Sequence, residues 1–164
     1  PYAKRFTWWP QVFLGLAFNW GALLAFAAHT GTVTLPAVLL YGAGIAWTLF
    51  YDTIYAHQDK EDDAMIGVKS TARLFGAQSR LWLQGFLIAS VTLMAAAIIA
   101  TSLPAARALA LATALFGVWA FGWHMIWQLR RLDIDDPASC LAIFRSNRDA
   151  GLIPALFLAI AAFL

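Results

Sequence analysis

Four long apolar runs, at roughly 8–28, 35–55, 81–101 and 105–127, constrain this chain more than any other feature. Each matches the roughly 20 residues that an α-helix needs to cross a bilayer. A fifth run begins at Gly151 and stops at Leu164, which is short for a crossing. Composition agrees, with 62% of residues hydrophobic and 12% charged and a mean hydropathy of +0.69. A water-soluble domain of this size leaves too much surface exposed to hide so many apolar side chains. In a bilayer every backbone polar group must find its partner within the protein, which restricts spanning structures to helices and closed barrels. Segments of about ten residues with period-two alternation would mark a barrel, and the sequence does not have that pattern. The expected fold is all-α, a polytopic transmembrane helical bundle of about five spans, in a single domain over residues 1–164.

The runs are joined alternately by short connections, HTGTVT and SLPAAR, and by longer charged segments at about 57–80 and 128–150. If the chain crosses at every run, Lys4, Arg5, Lys60, Lys69, Arg73, Arg80, Arg130, Arg131, Arg145 and Arg148 share one side and Arg107 stands on the other. The positive-inside rule makes the crowded side cytoplasmic. All nine acidic residues lie on or next to that side as well. A formal charge of +2 does not point to nucleic acid, because no basic run exceeds two residues. The single cysteine, Cys140, reads as ordinary packing. Small residues at Ala17, Gly21 and Ala25, and at Gly42 and Ala46, are spaced to let helices approach closely. The chain opens at Pro1, without Met or a signal-peptide pattern, and is expected to come from a longer protein.

Directly after the second run comes YDTIYAHQDKEDD, residues 51–63, with five acidic side chains in thirteen positions. If the helix that starts near Leu35 continues through it at about 100° per residue, Asp52, Asp59 and Asp63 fall within about 40° of one another. Tyr55 then lies beside them, Asp62 to one flank, and Glu61 points elsewhere. Asp59 and Asp63 are neighbours at i, i+4 and repel each other. A hard divalent cation suits oxygen ligands, Mg²⁺ especially where a phosphate completes its shell. Spacing alone leaves two readings open, a solvated helix end or a metal and diphosphate site. Acidic groups are misplaced at a helix C-terminus, where the macrodipole is negative. Asp52 also lies at the edge of an apolar run, where an ionisable group is costly and a candidate for function. Lys4, Arg5, Lys69 and Arg73 on the same side are placed to hold a phosphate, or equally to anchor the membrane ends.

Other chemical templates are absent, including GxGxxG, GxxxxGK, HExxH and GxSxG. His29, His57 and His124 have no ligand spacing, and His124 reads as a hydrogen-bonded interior group.

YDTIYAHQDKEDDAMIGVKST resembles the second aspartate-rich motif of the UbiA family of intramembrane prenyltransferases. The opening YAKRFTWWPQVFLGLAFNWG and the later CLAIFRSNRDAG resemble the same family in the expected order, so the likeness covers essentially the whole chain. It is nearest to the members that prenylate 4-hydroxybenzoate in ubiquinone biosynthesis. The resemblance implies a nine-helix fold enclosing a cavity open to the bilayer, with one aspartate-rich motif from each half holding Mg²⁺ and a polyprenyl diphosphate. Carried onto this chain, Asp59 and Asp63 are the DxxxD metal ligands, and Asp52 is a further acid facing the same cavity. These three are the expected catalytic set. Lys4 and Arg5 match the family's KR pair and are candidates for the diphosphate, with Lys69 a weaker one.

The implied partners are a polyprenyl diphosphate, 4-hydroxybenzoate and the lipid bilayer, with no nucleic acid. The implied location is a bacterial inner membrane, with the acidic motif on its cytoplasmic side. Trp47, Phe50, Tyr51 and Tyr55 are placed to stabilise an allylic cation. The family's first motif, NDxxDxxxD, does not occur in these residues. The chain is therefore expected to be the C-terminal half of such an enzyme, incomplete by itself. The rivals are another UbiA-type transferase, of the haem O, menaquinone or chlorophyll pathway, and a non-catalytic transport or assembly subunit with Asp52 on an ion path.

Overall fold

The computed structural model describes residues 2–102 and 107–164. The expected connection SLPAAR falls largely outside them.

The first apolar run folds as two helices, α2 (Pro10–Phe18) and α3 (Trp20–Thr30), preceded by a single turn, α1 (Ala3–Phe6). Pro10 opens α2, where its missing N–H costs nothing. The break comes at Asn19, whose side-chain amide donates to the Gly15 carbonyl at 2.8 Å and to Thr48 Oγ1 at 2.9 Å. An asparagine that bonds the preceding turn competes with the helix for the same carbonyl. Helix α3 stops at Gly31, which takes the left-handed conformation at φ 77° that a Cβ disfavours.

The second run is α4 (Leu35–Gln58), the central element, packed against α2, α3, α6, α7 and α9. The acidic stretch continues as α5 (Lys60–Met65), followed by α6 (Thr71–Phe75), capped by the Ser70 hydroxyl, and a 3-10 turn, Gly76–Gln78. Then come α7 (Ser79–Ser102), α8 (Ala108–Arg131) and α9 (Pro137–Ala161). Among the described residues, four segments are long and apolar enough to cross a membrane: Pro10–Thr30, Leu35–Gln58, Thr71–Thr101 and Ala108–Arg131. The protein is thus a multi-pass membrane helical bundle, as expected.

The charged connection over 128–150 is mostly helical. Helix α8 runs on to Arg131, and α9 begins at Pro137 with the Asp136 carboxylate capping the Ala138 N–H at 2.9 Å. The polar first half of α9 stays helical because its buried groups find partners. Gln128 donates to Ser146 Oγ at 2.8 Å, and Trp47 Nε1 donates to Asn147 Oδ1 at 3.0 Å. The apolar part of α9 starts at Gly151.

The core is built from α4, α7, α8 and α9, around Phe50, Ile54, Leu83, Phe121 and Met125, all fully buried. Association in a bilayer depends on close packing and hydrogen bonds, because lipid tails are as apolar as the helices. Gly42 meets Leu93 and Ala46 is buried, as their spacing predicts. Ala17, Gly21 and Ala25 are instead exposed, and a Cβ on Gly21 would touch nothing within 4 Å among the described residues. The tightest approaches use other glycines. A Cβ on Gly44 would lie 2.1 Å from Asn19 Oδ1, one on Gly117 2.5 Å from Phe157, and one on Gly151 2.7 Å from Trp47.

Candidate functional site

Helix α4 does not continue through the acidic stretch, which corrects that expectation. It ends at Gln58; Asp59, at φ −103° and ψ 12°, is the junction, and α5 restarts at Lys60. The join keeps one helical bond across it, from the Asp63 N–H to the Asp59 carbonyl at 2.8 Å. Asp52 and Asp59 are half-buried, Asp63 is buried, and Glu61 and Asp62 are exposed.

The basic N-terminal segment folds back onto this region. Lys4 Nζ donates to both Asp63 carboxylate oxygens, at 3.0 and 3.1 Å. Only 6% of the Asp63 side chain is exposed, against 34% of Lys4, so removing the lysine would strand a buried carboxylate. The Lys69 N–H donates to the Lys4 carbonyl at 2.8 Å, and Lys69 Nζ to the Phe6 carbonyl at 3.3 Å. The Trp8 ring receives both Lys69 Nζ, at 5.8 Å, and the Arg73 guanidinium, at 5.5 Å. Arg73 also donates to the Asp63 and Val68 carbonyls, holding the turn after α5. Arg5 is exposed, over the Tyr2 ring at 5.7 Å.

Lys4 and Asp52 line one cavity of about 320 Å³ between α1, α2 and α4, with Gln11 and Leu14 among its other walls. The fold therefore ties Lys4 to Asp63 directly and to Asp52 across a cavity, keeps Lys69 beside Lys4, and leaves Arg5 outside. Among the described residues no three His, Cys, Asp or Glu side chains lie close enough to enclose an ion. The carboxylates present offer only hard oxygen donors. Mg²⁺ is bound through one or two carboxylates plus phosphate and water rather than by an all-protein cage. The donor set fits an ion shared with a phosphorylated substrate and does not fit a metal held by protein alone.

Of the aromatic candidates, Phe50 is fully buried in the hydrophobic core. Tyr55 packs against Phe144 at a tilt, with centroids 4.6 Å apart and an interplanar angle of 42°. Trp47 and Tyr51 line a second cavity, of about 460 Å³, with Asn19, Thr48, Phe144, Arg145, Asn147 and Arg148. Sequence reasoning missed Asn19, Arg145, Asn147 and Arg148. The available signal was a polar quartet, RSNR at 145–148, placed directly before an apolar run. His57 is buried and pairs with Ser79 at 2.9 Å, tying the end of α4 to the start of α7. His124 is half-buried against Trp127, with centroids 5.1 Å apart. Its Nε2 has no hydrogen-bond partner among the described residues, contrary to the expected hydrogen-bonded histidine.

The model of the UbiA prenyltransferase family matches residues 1–162. The chain is 48% identical to the mitochondrial 4-hydroxybenzoate polyprenyltransferase of Drosophila melanogaster, over 98% of this chain and 39% of that protein. It is 48% identical to the protein of the same name from Bos taurus, over 93% of this chain and 40% of the relative. The Mus musculus protein is also 48% identical, over 98% and 41%. The chain thus spans about two fifths of the length of these relatives. Their names are mitochondrial and give the expected bacterial inner membrane no support. No solved structure matches the chain significantly.

Proposed function

The chain belongs to the UbiA prenyltransferase family, and from that premise we propose that it supplies the C-terminal part of a Mg²⁺-dependent 4-hydroxybenzoate polyprenyltransferase of ubiquinone biosynthesis. The substrates of the whole protein are then a polyprenyl diphosphate and 4-hydroxybenzoate. The relatives' names favour this acceptor over those of the haem O, menaquinone and chlorophyll pathways.

The observation that carries the reading is the meeting of one cation with two acids. Lys4 sits on the buried Asp63 and shares a half-buried cavity with Asp52, so both charges are gathered where the bundle meets its basic side. Asp59 and Asp63, with Asp52 on the wall of the Lys4 cavity, are the side chains that would hold Mg²⁺. When bound, the ion neutralises the diphosphate and makes it a better leaving group. Lys4 offers the diphosphate a cation already placed beside the acids, and its bonds to Asp63 orient that carboxylate. Lys69 is the second candidate, with its ammonium held near Phe6 and Trp8. Arg5 projects into solvent and joins only if the complete protein turns it inward. Tyr51, next to Asp52 in sequence, and Trp47 present ring faces and edges from which a developing allylic cation would gain.

Asp59→Ala and Asp63→Ala, each in the complete protein, test the reading by prenyl transfer with Mg²⁺. The expected loss is at least about a hundredfold, the scale of removing one preorganised charge-stabilising group. Turnover at the unmodified rate would remove the metal role from these acids. A transport or assembly subunit with Asp52 on an ion path predicts instead that a prenyl diphosphate analogue fails to bind, with or without Mg²⁺.

A further inference from the structure

The larger cavity, between α2, α4 and α9, has no role in the reading above. We propose that it is the acceptor's site and takes an aromatic carboxylate, its ring against Tyr51 and Phe144 and its carboxylate on Arg145 and Arg148. This rests on the proposed transferase reading, which supplies the acceptor's identity.

Three observations carry it. The first is unbalanced charge. Arg145 and Arg148 stand at i, i+3 on α9, where side chains are neighbours and like charges repel. Arg148 Nε donates to Asp149 Oδ1 at 3.0 Å, while Arg145 forms no ion pair among the described residues. One of two adjacent guanidiniums is left for an external anion, and the planar guanidinium fork matches a carboxylate.

The second is the wall. Tyr51 and Phe144 approach with centroids 5.9 Å apart and an interplanar angle of 59°, and Trp47 meets Tyr51 edge-on at 5.6 Å. A wall of rings beside two cations selects an aromatic anion.

The third is a floor already satisfied internally. Trp47 Nε1 donates to Asn147 Oδ1 at 3.0 Å, Asn19 Nδ2 to Thr48 Oγ1 at 2.9 Å, and the Tyr51 hydroxyl to Thr48 Oγ1 at 3.3 Å. These bonds fix the lining groups before any ligand arrives, which lowers the cost of binding. They also leave the arginines as the charged groups in the lining. Helix α4 is the wall common to both cavities, because Tyr51 lines one and Asp52 the other. The acceptor ring and the diphosphate would therefore lie on adjacent faces of one helix, the closeness that a bimolecular transfer needs.

The test is the double variant Arg145→Gln, Arg148→Gln in the complete protein, with 4-hydroxybenzoate compared with 4-hydroxybenzyl alcohol, which keeps the ring and hydroxyl but has no carboxylate. The expected result is a KM for 4-hydroxybenzoate raised roughly ten- to a hundredfold, the loss of one or two charge-assisted hydrogen bonds. The KM for the prenyl diphosphate should stay within about twofold, and the preference for the acid over the alcohol should vanish. An unchanged preference overturns the proposal. So does a raised KM for the diphosphate alone, which would give the arginines to that substrate. If the unmodified protein transfers no prenyl group, the transferase reading fails. Equilibrium binding of labelled 4-hydroxybenzoate then still decides the acceptor site, supported by loss of binding in the double variant and overturned by equal binding. Arg145→Lys, Arg148→Lys should restore part of the acid preference, which a misfolded protein would not do.

Discussion

Cys140 lies in the first turn of α9, where a helix N-terminus ordinarily favours the thiolate. Here burial, and then the carboxylates of Asp136, Asp133 and Asp135, push the thiol up to about 11. The group is neutral at pH 7, and its Sγ donates to the Asp133 carbonyl at 3.4 Å. A maleimide should label it at least about a hundredfold more slowly than a free thiol. Mass spectrometry should find one labelled thiol per chain only after denaturation in SDS, and rapid labelling of the folded protein would contradict this. Its role as packing was readable from the sequence, since a lone cysteine among apolar neighbours has little else to do. Arg145 and Arg148 were not readable in the same way. On the sequence they look like two more cations at a membrane end, and their meaning comes from Tyr51 and Thr48, about a hundred residues away, which fold against them.

At the scale of the element, close approach decides which helices touch. Asn19 breaks the first span and bonds Thr48 on α4, and Gly44 leaves the space in which that amide sits. Gly44→Ala should push Asn19 aside, break its bond to Thr48 and cost about 1–3 kcal/mol as an overpacked contact. Thermal unfolding in detergent measures this, with Gly21→Ala as the control. That substitution meets nothing within 4 Å and should be neutral or slightly stabilising, because alanine favours the helix. The spacing of Ala17, Gly21 and Ala25 looks as good a packing signal as that of Gly42 and Ala46, yet only the second pair is covered. Periodicity locates a face, and the partner's position decides whether that face is used. The same limit applies at Asp59. A period of about 100° per residue groups Asp52, Asp59 and Asp63, but the helix ends at Gln58 and each acid takes its direction from its own segment.

Over the whole molecule, the alternation of apolar runs and charged connections sets the topology. The Lys4–Asp63 pair, the Lys69–Lys4 backbone bond and the Arg80 contacts with Leu129 and Leu132 gather one end of the bundle. At the other end Arg107 donates to the Leu164 carbonyl at 3.2 Å. In a Cys140→Ser background, Glu61→Cys and Thr32→Cys should react with a membrane-impermeant maleimide from opposite sides. Labelling from one side would overturn the topology. Helix α3 has no buried residue and the first span is 6% buried, so most of its surface is left uncovered by the described residues. Hydropathy by itself determined the helical class and where the long apolar segments lie. It does so because a bilayer admits few backbone solutions and penalises charge wherever it lies. Tertiary structure alone decided that Lys4 neutralises Asp63, that Phe50 belongs to the core, and that Asn19 and the arginines of α9 share a cavity with Tyr51. Those pairings depend on how helices rotate and approach one another, set by single glycines and buried hydrogen bonds whose partners lie far apart along the chain.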